Sequence, residues 1–331
     1  SIYEQSIKQA LTGVCLAGIE RLPIEYHPPK PLLLEWIGSV EVIKKKNKLV
    51  SLRSQEVFEL FAKDDLRSCI LKGQGLAALY ELPNSETASS LYRQSGDIDV
   101  WVDGERDIII KYMLSHYKCG RVVIHHIDVN VFDDVPVEVH FVPSYSYSPL
   151  RYNVYKEFFK EYKEECFSTT NTRFCVPSLR FNAIYVLMHI YRHVFHEGVG
   201  LRQLMDYYFV LQNLNTSDYL FVNDWLKRLG LKRFAAAVLY VEQIVFSLHD
   251  ELLYCEPDSK AGTHLLNLIT QAGNFGQYDA SNQEAYKKGS VVLYYKNVRR
   301  LLGMLRFYPT EVISAPFWKV GHYCWRRIKG F

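Results

Sequence analysis

Three things are scarce in this chain of 331 residues. Paired cysteines come first: the seven present (Cys15, Cys69, Cys119, Cys166, Cys175, Cys255 and Cys324) are odd in number, and no two stand at CxxC spacing. That disfavours both a disulfide scaffold and a zinc ribbon, and fits free thiols in a reducing compartment. Long apolar runs come second. None approaches the ~20 residues that span a bilayer. The amphipathic start, Ser1 to Leu22, carries Glu4, Lys8, Glu20 and Arg21 and shows no signal-peptide pattern. No membrane span is expected, and the expected location is cytoplasmic. Charge of one sign is the third. A formal net charge of +3 leaves no broad basic face for general nucleic-acid binding, but room for a local basic patch around an anion.

Hydrophobic residues make up 48% of the chain and charged residues 23%, which is enough apolar material for two globular cores. The pattern predicts an α+β fold in three regions. Residues 1–63 form an N-terminal helical segment. Its apolar spacing is helical at Leu32, Leu33, Trp36, Ile37 and Val40, and again at Val57, Leu60 and Phe61, with a solvated lysine run (Lys44 to Lys46, and Lys48) as loop or helix end between them. Residues 64–150 read as a small mixed β-sheet with helices. Strands are expected at Ser68–Leu71, Asp97–Val102, Arg121–His126, Asp128–Phe132 and Val137–Phe141, and helices at Leu76–Glu81 and Arg106–His116. Residues 151–331 read as a larger helical domain. Helices are expected at 181–195, 201–214, 219–229, 234–248, 265–272, 291–307 and 316–328, and Gly230 ends one of them.

The chemistry-bearing pattern begins at Asp97-Ile98-Asp99. On a strand, residues i and i+2 share a face, so two carboxylates project roughly 6–7 Å apart. Alone, the pair equally describes two solvated acids at a strand edge. Glu138, in the alternating strand Val137-Glu138-Val139-His140-Phe141, would complete a three-acid cluster. Three acids can hold two hard divalent ions for in-line phosphoryl chemistry, the third acid doubling as proton acceptor. Lys72-Gly73-Gln74-Gly75 follows a strand and opens a helix, as a phosphate cradle does and as a plain tight turn also does. Arg93 supplies a forked donor for phosphate and Lys72 a point charge.

Together, Lys72-Gly73, Arg93, Gly96-Asp97-Ile98-Asp99-Val100 and Val137-Glu138-Val139-His140 resemble the nucleotidyltransferase superfamily that shares the DNA polymerase β palm. More narrowly they resemble a bacterial group known as the uncharacterised nucleotidyltransferase family. The helices carrying His189-Ile190-Tyr191-Arg192-His193 and Gly200-Leu201-Arg202-Gln203-Leu204-Met205-Asp206 are similar to that group as well. The resemblance covers about Leu66 to Leu211. It implies a palm-like sheet and transfer of a nucleoside monophosphate from an NTP, with Mg²⁺ or Mn²⁺ as cofactor. It makes Asp97, Asp99 and Glu138 the metal ligands and catalytic acids. Lys72, Gly73, Gln74 and Arg93 become the nucleotide-binding residues. The acceptor is a sugar, a metabolite, a lipid-linked glycan or a protein. One departure stands out: the superfamily has Gly-Gly or Gly-Ser at the turn, and here Gly73 is followed by Gln74.

Two rival readings stay open. Gln74 fits a catalytically inactive module that binds a nucleotide or a protein. The histidines His189, His193 and His196 stand at i, i+4 and i+7, a spacing that can ligate zinc, although the HExxH glutamate is missing. The same residues, with Arg202 and Asp206, also suit a buried polar network. A third role is as cleft residues, together with His140, that contact nucleotide or acceptor. Trp318, Trp325, Arg326, Arg327 and Lys329 suggest an amphipathic closing helix.

Overall fold

The computed structural model describes residues 1–80, 89–168, 173–274, 278, 298 and 301–330. Residues 81–88, Phe275 and Gly276, and most of the helix expected at 291–307 lie outside the described residues.

Two compact units divide the chain. The first comprises Ser1–Arg121, His126–Phe141 and Glu164–Ser178, and the second takes the described residues of Val122–His125, Val142–Lys163 and Leu179–Phe331. The first unit opens with α1 (Ile2–Lys8), whose Ser1 and Glu4 form a reciprocal capping box, followed by α2 (Thr12–Ile19). The long helix α3 (Lys30–Lys63) comes next. Trp36 on α3 donates its Nε1 to the Thr12 carbonyl (2.8 Å) and packs with Tyr3, Leu16, Ala17, Val40 and Tyr92. Gly13 lets α2 press on backbone: a Cβ there would lie 2.1 Å from the Tyr92 carbonyl oxygen.

The structure corrects the expected break at the lysine run, which lies in the middle of α3. The two apolar stretches are one stripe: Trp36, Val40, Asn47, Val50, Ser54, Val57 and Phe61 are all buried. Polar Asn47 and Ser54 occupy stripe positions, so hydropathy alone shows a gap. Lysine is a good helix former, and Lys44 rests its ammonium 4.6 Å from the Tyr92 ring centre.

After α3 come β1 (Ser68–Ile70), α4 (Gln74–Ala77), β2 (Ile98–Val102) and α5 (Arg106–His116). β3 (Cys119–Val122), β4 (His126–Val129) and β5 (Val137–His140) complete the sheet. The strand expected at 121–126 is the end of β3, a bend and the start of β4, because its apolar run continues through the turn. The strand order is β1-β2-β5-β4-β3. β2 runs parallel to β5, while β1–β2 and β4–β5 are antiparallel, so the sheet is mixed. Period-two alternation splits its faces. Ile98, Val100, Val102, Ile127, Val129, Val137 and Val139 make one face wholly apolar and buried. The other face of the central strands carries Asp99, Trp101, His126, Asp128, Glu138 and His140. α7 (Glu164–Phe167) also belongs to this unit, where Phe167 packs on Trp101 at 4.9 Å between ring centres.

The second unit is helical: α6 (Pro149–Tyr162), α8 (Leu179–His196), α9 (Leu201–Asn213), α10 (Tyr219–Arg228), α11 (Lys232–Phe246), α12 (Ser259–Ala272) and α13 (Pro309–Lys329). α8 is buried on nearly all sides. Phe158 of α6 stacks on Phe181 of α8 and meets Trp225 of α10 edge-on. Gly230 takes φ +68 at the end of α10, the left-handed cap its sequence position predicts. Glu311 of α13 accepts from Ser146 Oγ and the Tyr147 N–H, which anchors the helix to the segment before α6. The fold is α+β, as the pattern predicts. Among the described residues, no helix is long and apolar enough to cross a membrane.

Candidate active site

The register of the sheet builds the site. Asp99 of β2 pairs with Glu138 of β5, and Glu138 pairs in turn with Asp128 of β4. One step along the same face, Trp101, His140 and His126 form a second row. Residues in register on neighbouring strands lie ~4.5–5.5 Å apart at Cβ, so side-chain tips meet.

The tips alternate basic groups with carboxylates. Lys72 Nζ lies 3.0 Å from Asp99 Oδ1, and His140 Nε2 lies 2.9 Å from the same oxygen. His140 Nε2 is also 3.5 Å from Glu138 Oε2. His126 Nδ1 sits 3.3 Å from Glu138 Oε2, and His126 Nε2 sits 3.3 Å from Asp128 Oδ1. Asp99 and His140 are buried, Glu138 half-buried. Burial raises the Asp99 pKa, but the Lys72 ammonium and the His140 hydrogen bond outweigh it and hold the carboxyl below its usual range. Burial also opposes ionisation of Glu138. The His140 hydrogen bond and the charges of His126 and Lys72 win there, and bring it to about 2 against the opposing charge of Asp97. His140 is the mirror case: burial lowers its pKa, and the two carboxylates raise it above the ordinary histidine value.

One ligand atom each from Asp99, Glu138 and His140 lies within 4.8 Å of the others. Two carboxylates and an imidazole would suit a divalent ion. Asp97 stands one residue ahead of β2, half-buried, and is in none of the converging groups found among the described residues.

The Lys72–Gly73–Gln74 turn runs beside Asp97. Gly73 has φ +60 and ψ −110, which only glycine adopts without strain, and a Cβ there would lie 3.7 Å from the Asp97 carbonyl oxygen. Gly75 serves packing, since a Cβ at that position would meet the Ile70 carbonyl at 2.5 Å. In place of the helix expected at 76–81 stands the short α4, Gln74–Ala77; residue 81 lies outside the described residues. The Gln74 side chain turns to the protein: its Nε2 donates to Ser95 Oγ (2.9 Å) and to Asn47 Oδ1 (3.2 Å). Asn47 of α3 donates to the carbonyls of Leu91 (2.7 Å) and Arg93 and accepts from Ser95 Oγ. One buried amide thereby ties the turn to the chain entering β2. Arg93 is buried as well.

His189, His193, Arg202 and Asp206 belong to the second unit. His189 and His193 are buried and meet edge-to-face at 4.2 Å between ring centres. Their hub is Arg192, which donates to His125 Nε2 and His193 Nε2, each at 3.0 Å, while His193 Nδ1 donates to Glu197 Oε1 at 2.6 Å. Arg202 and Asp206 sit on α9, Asp206 buried. None of the converging groups of three or more His, Cys, Asp or Glu among the described residues includes His189, His193 or His196. The zinc reading of the helical spacing gains no third ligand from them.

Sequence reasoning passed over His126, Asp128, Asn47, Ser95 and Arg192. The first two carry a usable signal: His126-Ile127-Asp128-Val129 alternates polar and apolar as the Glu138 strand does. Asn47 carries none, because its partners are distant in sequence; Arg192 stands beside His193 in the family-like stretch, and its contact with His125 is the one that sequence distance hides.

The mixed sheet, its carboxylate row and the glycine turn define an α+β protein with an acidic candidate site as a class. Residues 1–247 match a protein-family model described as "Uncharacterised nucleotidyltransferase", and the chain belongs to that family. No curated protein matches it.

Proposed function

We propose that this nucleotidyltransferase moves a nucleoside monophosphate from an NTP to a hydroxyl group on an acceptor other than nucleic acid, releasing pyrophosphate. The observation that carries the reading is the pairing of Asp99 with Glu138 on adjacent parallel strands, next to the Gly73 turn. Asp97, Asp99 and Glu138 would hold Mg²⁺ or Mn²⁺ in the manner of a polymerase β palm. When bound, the ions neutralise the triphosphate and acidify the acceptor hydroxyl. Glu138 then takes the hydroxyl proton as the new P–O bond forms and the Pα–O–Pβ bond breaks. A carboxylate held at about 2 is a weak base, so Glu138 receives the proton in concert with P–O bond formation and not before it. The Gly73 turn and Lys72 hold the triphosphate, and Arg93 supports them. Sugars, metabolites, lipid-linked glycans and protein side chains all suit as acceptors.

The second reading, binding without turnover, draws on Gln74, whose amide is engaged with Asn47 and Ser95. Calorimetry with NTP and Mg²⁺ tests the shared premise: binding is expected in the wild type and lost in Asp97→Asn and Asp99→Asn. Unchanged binding in both variants refutes the metal–nucleotide site. Labelled NTP incubated with Mg²⁺ and a cell extract then separates the two. Label transfer with pyrophosphate release supports the enzyme, and binding without transfer supports the module.

A further inference from the structure

We propose that β4 adds a second metal site, His126–Asp128–Glu138, which takes a borderline transition ion such as Zn²⁺ or Mn²⁺. One ligand atom from each of the three residues lies within 4.8 Å of the others, a spread that small side-chain rotations close to a coordination sphere. The residues converge because of the sheet: Asp128 and Glu138 are register partners, and His126 shares the Asp128 face two residues earlier.

Donor chemistry sets the class of ion. Magnesium prefers an all-oxygen shell and keeps its waters, whereas an imidazole with two carboxylates suits zinc, manganese and their neighbours. The group is also open to an ion from solvent. The His126, Glu138 and Asp128 side chains are 13%, 26% and 45% exposed, in contrast to 1% for both Asp99 and His140. Asp128 is held in place from behind. The Arg121 backbone N–H donates to its Oδ2 at 3.3 Å, the kind of outer contact that orients a ligating carboxylate. Gly120 leaves room beside it, since a Cβ there would come 3.2 Å from the Asp128 Cβ.

Glu138 belongs to both groups. An ion on β4 therefore engages the carboxylate assigned above as proton acceptor and third metal ligand. This consequence rests on the proposed function; binding of the ion does not.

The test is calorimetric titration of the chelator-treated full chain with ZnCl₂, without nucleotide. The wild type and Asp97→Asn are expected to bind one equivalent alike, with no displacement by an equal concentration of Mg²⁺. His126→Ala and Asp128→Asn are each expected to weaken that equivalent at least ~10-fold, since each removes one ligand of three. Circular dichroism and a thermal melt check folding, and the half-exposed Asp128 carries the test if His126→Ala does not fold. No binding in the wild type overturns the proposal, as does an affinity unchanged in Asp128→Asn. Loss of Mg²⁺–NTP binding in the wild type, with the zinc equivalent still sensitive to His126 and Asp128, would sink the nucleotidyl-transfer reading and leave this site standing.

Discussion

Asn47→Ala is the most informative single substitution in the first unit. The side chain is 2% exposed and engages four partners: the Leu91 and Arg93 carbonyls, the Gln74 amide and the Ser95 hydroxyl. A net buried hydrogen bond contributes ~0.5–1.5 kcal/mol, so four would give ~2–6 kcal/mol. Gln74 and Ser95 keep their mutual bond at 2.9 Å, which reduces the loss. Two carbonyls stripped of a donor and a small void remain, for an expected cost of ~2–4 kcal/mol. Domains are commonly stable by ~5–15 kcal/mol, so the variant still folds. Urea denaturation should show a lower midpoint at unchanged slope. Ser54→Ala is the control: it is equally buried on α3, and its Oγ donates to the Val50 carbonyl one turn back. It should cost under ~1.5 kcal/mol. NTP affinity should fall in Asn47→Ala and stay constant in Ser54→Ala, because Asn47, unlike Ser54, ties the Gly73 turn to the approach to β2. Equal destabilisation by the two variants, or NTP affinity unchanged in Asn47→Ala, refutes the clamp.

Three further outcomes follow from named atoms. Gly73→Ala forces a side chain into φ +60, ψ −110 and should cost ~1–3 kcal/mol and weaken NTP binding; a neutral result on both would contradict the strained-turn argument. Gly13→Ala places a Cβ 2.1 Å from the Tyr92 carbonyl, and a loss of ~1–3 kcal/mol is expected in denaturant melts, with an unaltered midpoint counting against the close packing of α2. Glu242 of α11 is fully buried, and burial raises its pKa well above the ordinary value. The folded state thus stays protonated where the unfolded chain has ionised. The protonated form's stability is fully present below the unfolded value of ~4.3 and is lost as pH rises towards the folded pKa, at ~1.4 kcal/mol per pH unit. Glu242→Gln abolishes this slope, so its stability relative to wild type should improve between pH 5 and pH 8; a constant difference across that range would show that the carboxyl is not buried as an acid.

Local pattern was enough for much of this protein. Period-two alternation located β2 and β5 and put Asp99 and Glu138 on predictable faces, because the pleat alone dictates which side a residue takes. Helical spacing located α5 and α8 to α11 within a few residues, because an amphipathic helix repeats over several turns. The family pattern in Lys72-Gly73, Gly96-Asp97-Ile98-Asp99 and Glu138-Val139-His140 was likewise written in neighbouring residues. What tertiary structure decided was pairing. Only the order β1-β2-β5-β4-β3 brings His126 and Asp128 to Glu138, and no local signal specifies which strand lies beside which. The continuity of α3 escaped hydropathy because Asn47 is buried for its hydrogen bonds to Leu91, Arg93, Gln74 and Ser95, which lie 27 to 48 residues away in sequence. Arg192 became a hub for the same reason. A short-range pattern reports burial and periodicity, whereas a polar side chain's partner is set by long-range packing.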